Sequence, residues 1–198
     1  LEEWLYSIYK KNRIYYPEDM DIHNIAEIFS TYLHFHNGIP ITDQREGDIP
    51  IILLDARKRE AEKRKDFFHE LGHVIKHVGD QETMPKSFSK LQEVQAEQFA
   101  LYASIPVYML GDILRDVYSY ASFGKNIAEQ FKLPMEHVEK RLLQINNRIF
   151  LKYQDIRFIR RQASIVVTDE SFKLFLEENK RKSRELFGDI YGKTFNIL

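Results

Sequence analysis

The sequence has no cysteine. Neither a disulfide framework nor a thiolate metal site can therefore exist, and any metal must be held by histidine and carboxylate. It also lacks a charge of one sign: 29 lysines and arginines stand against 30 aspartates and glutamates, a formal net charge of -1 at pH 7. That balance argues against nucleic acid or an anionic membrane as the main partner. Long apolar runs are missing as well. The longest, IPIILL at 49–54 and FALYASIPVYML at 99–110, fall far short of the roughly 20 residues that span a bilayer. The opening LEEWLYSIYKK puts acids where a secretory leader carries bases. A soluble, cytoplasmic protein with no membrane partner is expected. No repeat or low-complexity tract is apparent.

What is present is a globular composition. The 198 residues, 43% hydrophobic and 30% charged, can bury one main core with a smaller appendage. Apolar residues at helical spacing over 2–16 run up to Pro17, which should end or interrupt that helix. DIHNIAEIFSTY repeats its apolar positions at three and four behind Asp21, a plausible N-cap. Between 32 and 54, alternating YLHFHNG and β-branched IPIILLD predict two or three strands around a DQREGD loop. No proline interrupts Arg57 to His77, so a long helix is predicted there, stopped by Gly79. Further helices are predicted over about 87–104, 107–119, 125–132 and 135–147, and in the charged tail over 169–187.

The stretch KRKDFFHELGHVIKH at 63–77 raises the chemical question. Residues four apart stand one above the other, about 6 Å along a helix axis, so His69 and His73 can direct imidazoles at one ion. Glu70 lies about 100° round from His69, placed to act on a water without coordinating. The competing reading is an ordinary amphipathic helix. Phe67, Phe68, Leu71, Val74 and Ile75 bury the helix on more than one side, which suits a catalytic centre better than two solvated histidines. Gly72 costs the helix about 1 kcal/mol against alanine, but its bare surface lets another segment approach. A catalytic zinc takes three protein ligands and leaves a position for water. His77 continues the series, yet eight residues rotate it about 80° off the line, and it fits better as a cap on the helix end. The next helix offers Glu93 and Glu97 on one face, and twenty residues from His73 allow it to return alongside.

HELGH, followed by EVQAEQFA at 93–100 and Ile105-Pro106, resembles the ImmA/IrrE metallopeptidases, zinc proteins of the cytoplasm associated with phage and mobile-element repressors. The resemblance implies Glu93 as the third ligand. Glu97 stands where the family usually has Asn or Asp, and Arg64-Lys65-Asp66-Phe67-Phe68 where it often has Arg-x-x-Phe-Thr. It covers about residues 20–145 and implies an α+β fold. A small β-sheet packs on a helical zincin-like core with HExxH on its active-site helix. A helix-turn-helix-like segment and a C-terminal helical extension follow. The expected division is 1–122 for the zinc metallopeptidase core, 123–148 for the small segment and 149–198 for the extension.

The implied function is a zinc-dependent endopeptidase: His69, His73 and Glu93 hold zinc, and Glu70 serves as general base and acid. The substrate class the family implies is a helix-turn-helix repressor whose cleavage induces a phage or integrative element. His36, His77, Tyr102 and Tyr108 are candidates for stabilising the oxyanion, and Glu97 for supporting the ligands. Two other classes compete. One is a metal-containing regulator that sequesters a repressor without cleaving it, disfavoured by the intact Glu70. The other is a DNA-binding regulator, disfavoured because Lys132, Lys140 and Arg141 are offset by Glu129, Glu136 and Glu139. RKREAEKRK at 57–65, six bases against two acids, could meet an acidic substrate segment but reads better as a solvated helix face.

Overall fold

The helical rhythm at the start of the chain gives α1 (Glu2–Lys11), which ends well before Pro17. Arg13 takes the left-handed conformation at φ 61, and the amide of Ile14 returns to the Tyr9 carbonyl at 2.9 Å. This reversal drops Ile14 into the core, fully buried, so burial of one side chain wins over continuation of the helix. A computed structural model describes residues 1–44, 48–77, 86–115 and 120–162. After a 3-10 turn at Pro17–Asp19 comes α2 (Ile22–Ile28). The Asp21 carboxylate accepts from the amides of His23 at 3.0 Å and Asn24 at 3.1 Å, the N-cap its position predicts.

Three strands follow, β1 (Tyr32–His36), β2 (Ile41–Asp43) and β3 (Ile51–Asp55). The sheet order is β1-β3-β2, with β3 parallel to β1 and antiparallel to β2. Register places Leu33 and Thr42 on either side of Ile52, and Phe35 beside Leu54. Because strand side chains alternate, these five share the face that covers the long helix. Ile52 and Leu54 are fully buried there, while Tyr32 and Ile41 on the other face are exposed.

That helix, α3 (Glu60–Lys76), starts three residues later than predicted. Asp55 holds the turn before it, accepting from the Arg57 amide at 3.0 Å and from its guanidinium at 2.8 and 2.7 Å. Three of the six bases in the stretch at 57–65 are paired within the chain. Arg57 pairs with Asp55, Lys58 with Asp66 and Arg59 with Glu62. Arg64 is buried, donating to the carbonyls of Phe131 at 2.9 Å and Met20 at 2.7 Å.

α4 (Lys86–Ser104) packs along α3, followed by a 3-10 turn at Val107–Met109, α5 (Leu110–Arg115), α6 (Tyr120–Phe131) and α7 (Met135–Gln162). The left-handed Lys132, φ 52, ends α6 and aims Leu133 at the core. α7 runs through residue 148 without a break. Buried side chains of α1, α3, α4, α6 and α7, among them Leu5, Tyr9, Phe67, Phe99, Phe131 and Val138, form one hydrophobic cluster. The result is an α+β fold, mostly helical, with a small sheet on a helical core. Among the described residues no helix is long and apolar enough to cross a membrane. Gly79, the tip of the DQREGD loop and the helix expected over 169–187 lie outside the described residues.

Candidate metal centre

Gly72 explains how α3 and α4 come together. A Cβ on it would stand 2.8 Å from the carbonyl oxygen of Ala96 and 2.9 Å from its Cα. Any side chain here would push α4 away, so glycine permits backbone-to-backbone approach at a helical position where it is otherwise unfavourable. Ala96 itself is fully buried. The contact brings Glu93, one turn earlier on α4, over the histidines of α3.

The ligand atoms converge there. His69 Nε2 and His73 Nε2 are 3.2 Å apart. Glu93 sets Oε2 at 3.2 Å from His69 Nε2 and Oε1 at 3.4 Å from His73 Nε2. Three ligands about 2.0–2.1 Å from one ion at tetrahedral angles lie about 3.3 Å from one another. The two nitrogens meet that spacing and each Glu93 oxygen lies near it from one of them, with one ligand atom from each residue within 4.8 Å of the others, so these residues can converge on one metal ion. His73 is nearly buried, whereas His69 and Glu93 are 29% and 49% exposed at their side chains, which leaves the cluster open on one side. Burial, opposed by the nearby Glu93 carboxylate, pushes His73 well below the usual histidine range. It therefore stays the neutral imidazole that binds metals.

Glu70 is buried beside the cluster. Burial raises its carboxyl above the usual range, while a hydrogen bond from Thr42 opposes the rise. Thr42 Oγ1 donates to Glu70 Oε2 at 2.8 Å and lies 3.2 Å from the Glu70 carbonyl. No sequence signal marked Thr42, because its role appears only when β2 lies against α3.

The remaining candidates are held elsewhere. His77 is the C-cap of α3, and its Nε2 meets the Gln92 carbonyl at 3.1 Å, tying the end of α3 to α4. Burial lowers its pKa, and the hydrogen bond to the Gln92 carbonyl opposes that fall. Glu97 accepts from Lys140 at 2.7 Å, and that bond holds its carboxyl below the ordinary range. His36 contacts the Ile39 carbonyl at 3.0 Å and folds over Gly38. Tyr102 lies under the guanidinium of Arg141, 4.5 Å from its ring centroid. It stands nine residues beyond Glu93, about 14 Å of helix rise. Tyr108 donates to the Ile14 carbonyl at 2.8 Å. Two of the cations weighed for DNA contact are occupied too: Lys140 pairs with Glu97 and Glu136, and Arg141 is fully buried against Glu2.

Two histidines on one helix, a carboxylate from the next and a buried glutamate beside them have the layout of a metallohydrolase centre. The chain belongs to the metallopeptidase family of the IrrE N-terminal-like domain, which matches residues 22–143. It is 35% identical over 145 residues to the uncharacterized protein YqaB of Bacillus subtilis (strain 168), covering 72% of this chain and 81% of that protein. It is 33% identical over 142 residues to the phage-like element PBSX protein XkdA of the same organism, covering 72% and 71% respectively. No solved structure matches the chain.

Proposed function

We propose that this chain is a cytoplasmic zinc-dependent endopeptidase that cleaves a helix-turn-helix repressor and so induces a phage or integrative element. The observation that carries the reading is the convergence of His69, His73 and Glu93 ligand atoms at 3.2–3.4 Å with the buried Glu70 beside them. The phage-element name of XkdA supports the biological setting. A zinc ion held by the three ligands would polarise the scissile carbonyl and lower the pKa of the attacking water. Glu70 takes the proton of that water as the carbon–oxygen bond forms and returns it to the leaving amine as the carbon–nitrogen bond breaks. Its raised pKa brings the carboxylate nearer the operating pH, where one group can serve in both directions.

The test is incubation of the chain with the repressor encoded beside it, with and without chelator, alongside Glu70→Gln. The variant keeps both histidines, so zinc content and repressor binding are expected to survive while cleavage falls by about 10²- to 10⁴-fold. If Glu70→Gln relieves repression as well as the unaltered chain, proteolysis is not the output and a sequestering regulator takes its place.

A further inference from the structure

β2 is an edge strand of only three residues, and its one inward-facing side chain is polar. Thr42 shares a face with Leu33, Phe35, Ile52 and Leu54, all apolar. A hydroxyl among aliphatic neighbours needs a partner, and the one it finds is the carboxylate of Glu70 at 2.8 Å, 28 residues along the chain. Its single proton serves the shorter contact, with the Glu70 carbonyl at 3.2 Å as a secondary acceptor.

We propose that Thr42 is the positioning residue of the general base: by holding Glu70 Oε2 it fixes the carboxylate plane and leaves Oε1 to face the water. The inference rests on the peptidase reading above. A glutamate has three rotatable side-chain bonds, and the ligand triad does nothing to restrain the one at position 70. A proton acceptor about 1 Å out of place can cost as much as 10²-fold in rate. The restraint comes from the sheet, while the metal ligands come from α3 and α4. The hydrogen bonds of the Thr42 hydroxyl go to Glu70 and not to the three ligands, so removing it should alter the chemical step and leave metal binding intact.

The test uses Thr42→Val, which keeps the shape and removes the hydroxyl, and Thr42→Ser, which keeps the hydroxyl and removes the methyl. With the full zinc-loaded chain and the neighbouring repressor as substrate, kcat should fall about 10- to 100-fold in Thr42→Val with little change in KM, and Thr42→Ser should retain most of it. Zinc affinity should equal that of the parent in both. In the zinc-free chain, NMR should show the Thr42 hydroxyl proton protected from exchange, and Glu70→Ala should remove the protection. A purely packing role predicts the reverse order, with Thr42→Ser the more damaging. Wild-type kcat in Thr42→Val, or a hydroxyl proton indifferent to Glu70→Ala, overturns the inference. Failure of the unaltered chain to cleave the repressor overturns the peptidase reading, and the proton exchange then still decides whether Thr42 holds Glu70.

Discussion

Replacing Gly72 with alanine adds one methyl group at the tightest point between α3 and α4. The new Cβ would lie 2.8 Å from the Ala96 oxygen, and ordinary contact begins near 3.4 Å, so the helices must part by about 0.6 Å. The obstruction is backbone, which no rotamer change can relieve. Overpacking of this kind costs roughly 1–3 kcal/mol, and the helix regains about 1 kcal/mol from exchanging glycine for alanine. The net loss should be about 0–2 kcal/mol. The larger effect falls on the metal. Glu93 lies one turn from Ala96 and moves with it, whereas ligand distances tolerate only about 0.2 Å. Zinc affinity should therefore drop about 10- to 100-fold, as when a supporting group is lost. Zinc titration against a competing chelator measures this, with thermal melts of the zinc-free protein alongside. Gly124→Ala is the internal control, because its Cβ would meet Met135 at 3.5 Å and Leu142 at 3.8 Å, ordinary contacts. That change should raise stability by up to about 1 kcal/mol. The reasoning is refuted if Gly72→Ala binds zinc as tightly as the parent and melts no lower than Gly124→Ala.

Two further outcomes can be measured. Glu93→Gln should lose zinc, while Glu97→Gln should keep it and release Lys140. Elemental analysis of the two variants decides, and the opposite result would shift the register of α4 at the site by one turn. His137 is buried, meets Ser104 Oγ at 2.8 Å, and is pushed by burial from 6.5 down to about 4, with Lys65, Lys140 and Arg141 lowering it and Glu97 raising it. Between those values the unfolded chain binds a proton that the folded chain does not, so stability is complete above pH 6.5 and declines as pH falls towards 4. From this group the loss should reach about 2 kcal/mol by pH 5. Urea melts of the zinc-free protein at pH 7.5 and 5 should show a smaller difference in His137→Asn, and an equal difference would remove His137 as the source.

The parts of the site legible in the sequence are those set by helix periodicity. His69 and His73 one turn apart, Glu70 between them and an acidic face on the next helix all follow from local spacing. Spacing alone could not choose between Glu93 and Glu97, because the difference lies in Lys140, 43 residues beyond Glu97, which pairs with it. Thr42 was invisible for the same reason: a threonine in a short strand gains meaning only from what it faces. In the fold, the strands and the Asp21 cap follow from alternation and capping chemistry. The early end of α1 does not, since it depends on Ile14 finding the core. Nor did the charged stretch after residue 147 end α7, because charge does not stop a helix and neither proline nor glycine occurs between 135 and 162.

The proposed metal ligands and the proposed hold on the base come from different parts of the chain. His69, His73 and Glu93 belong to two helices consecutive in sequence, held together by the contact of Gly72 with Ala96. Thr42 belongs to an edge strand whose partner β3 must also pair with β1. On the proposed roles, substitutions in that short strand would act on the base, because the metal ligands lie on other elements. On the function proposed above, a descendant altered at Thr42 would keep the three proposed ligands and lose the hold on Glu70. Divergence from cutting a repressor to holding one would, on that proposed function, start from a change within a three-residue strand.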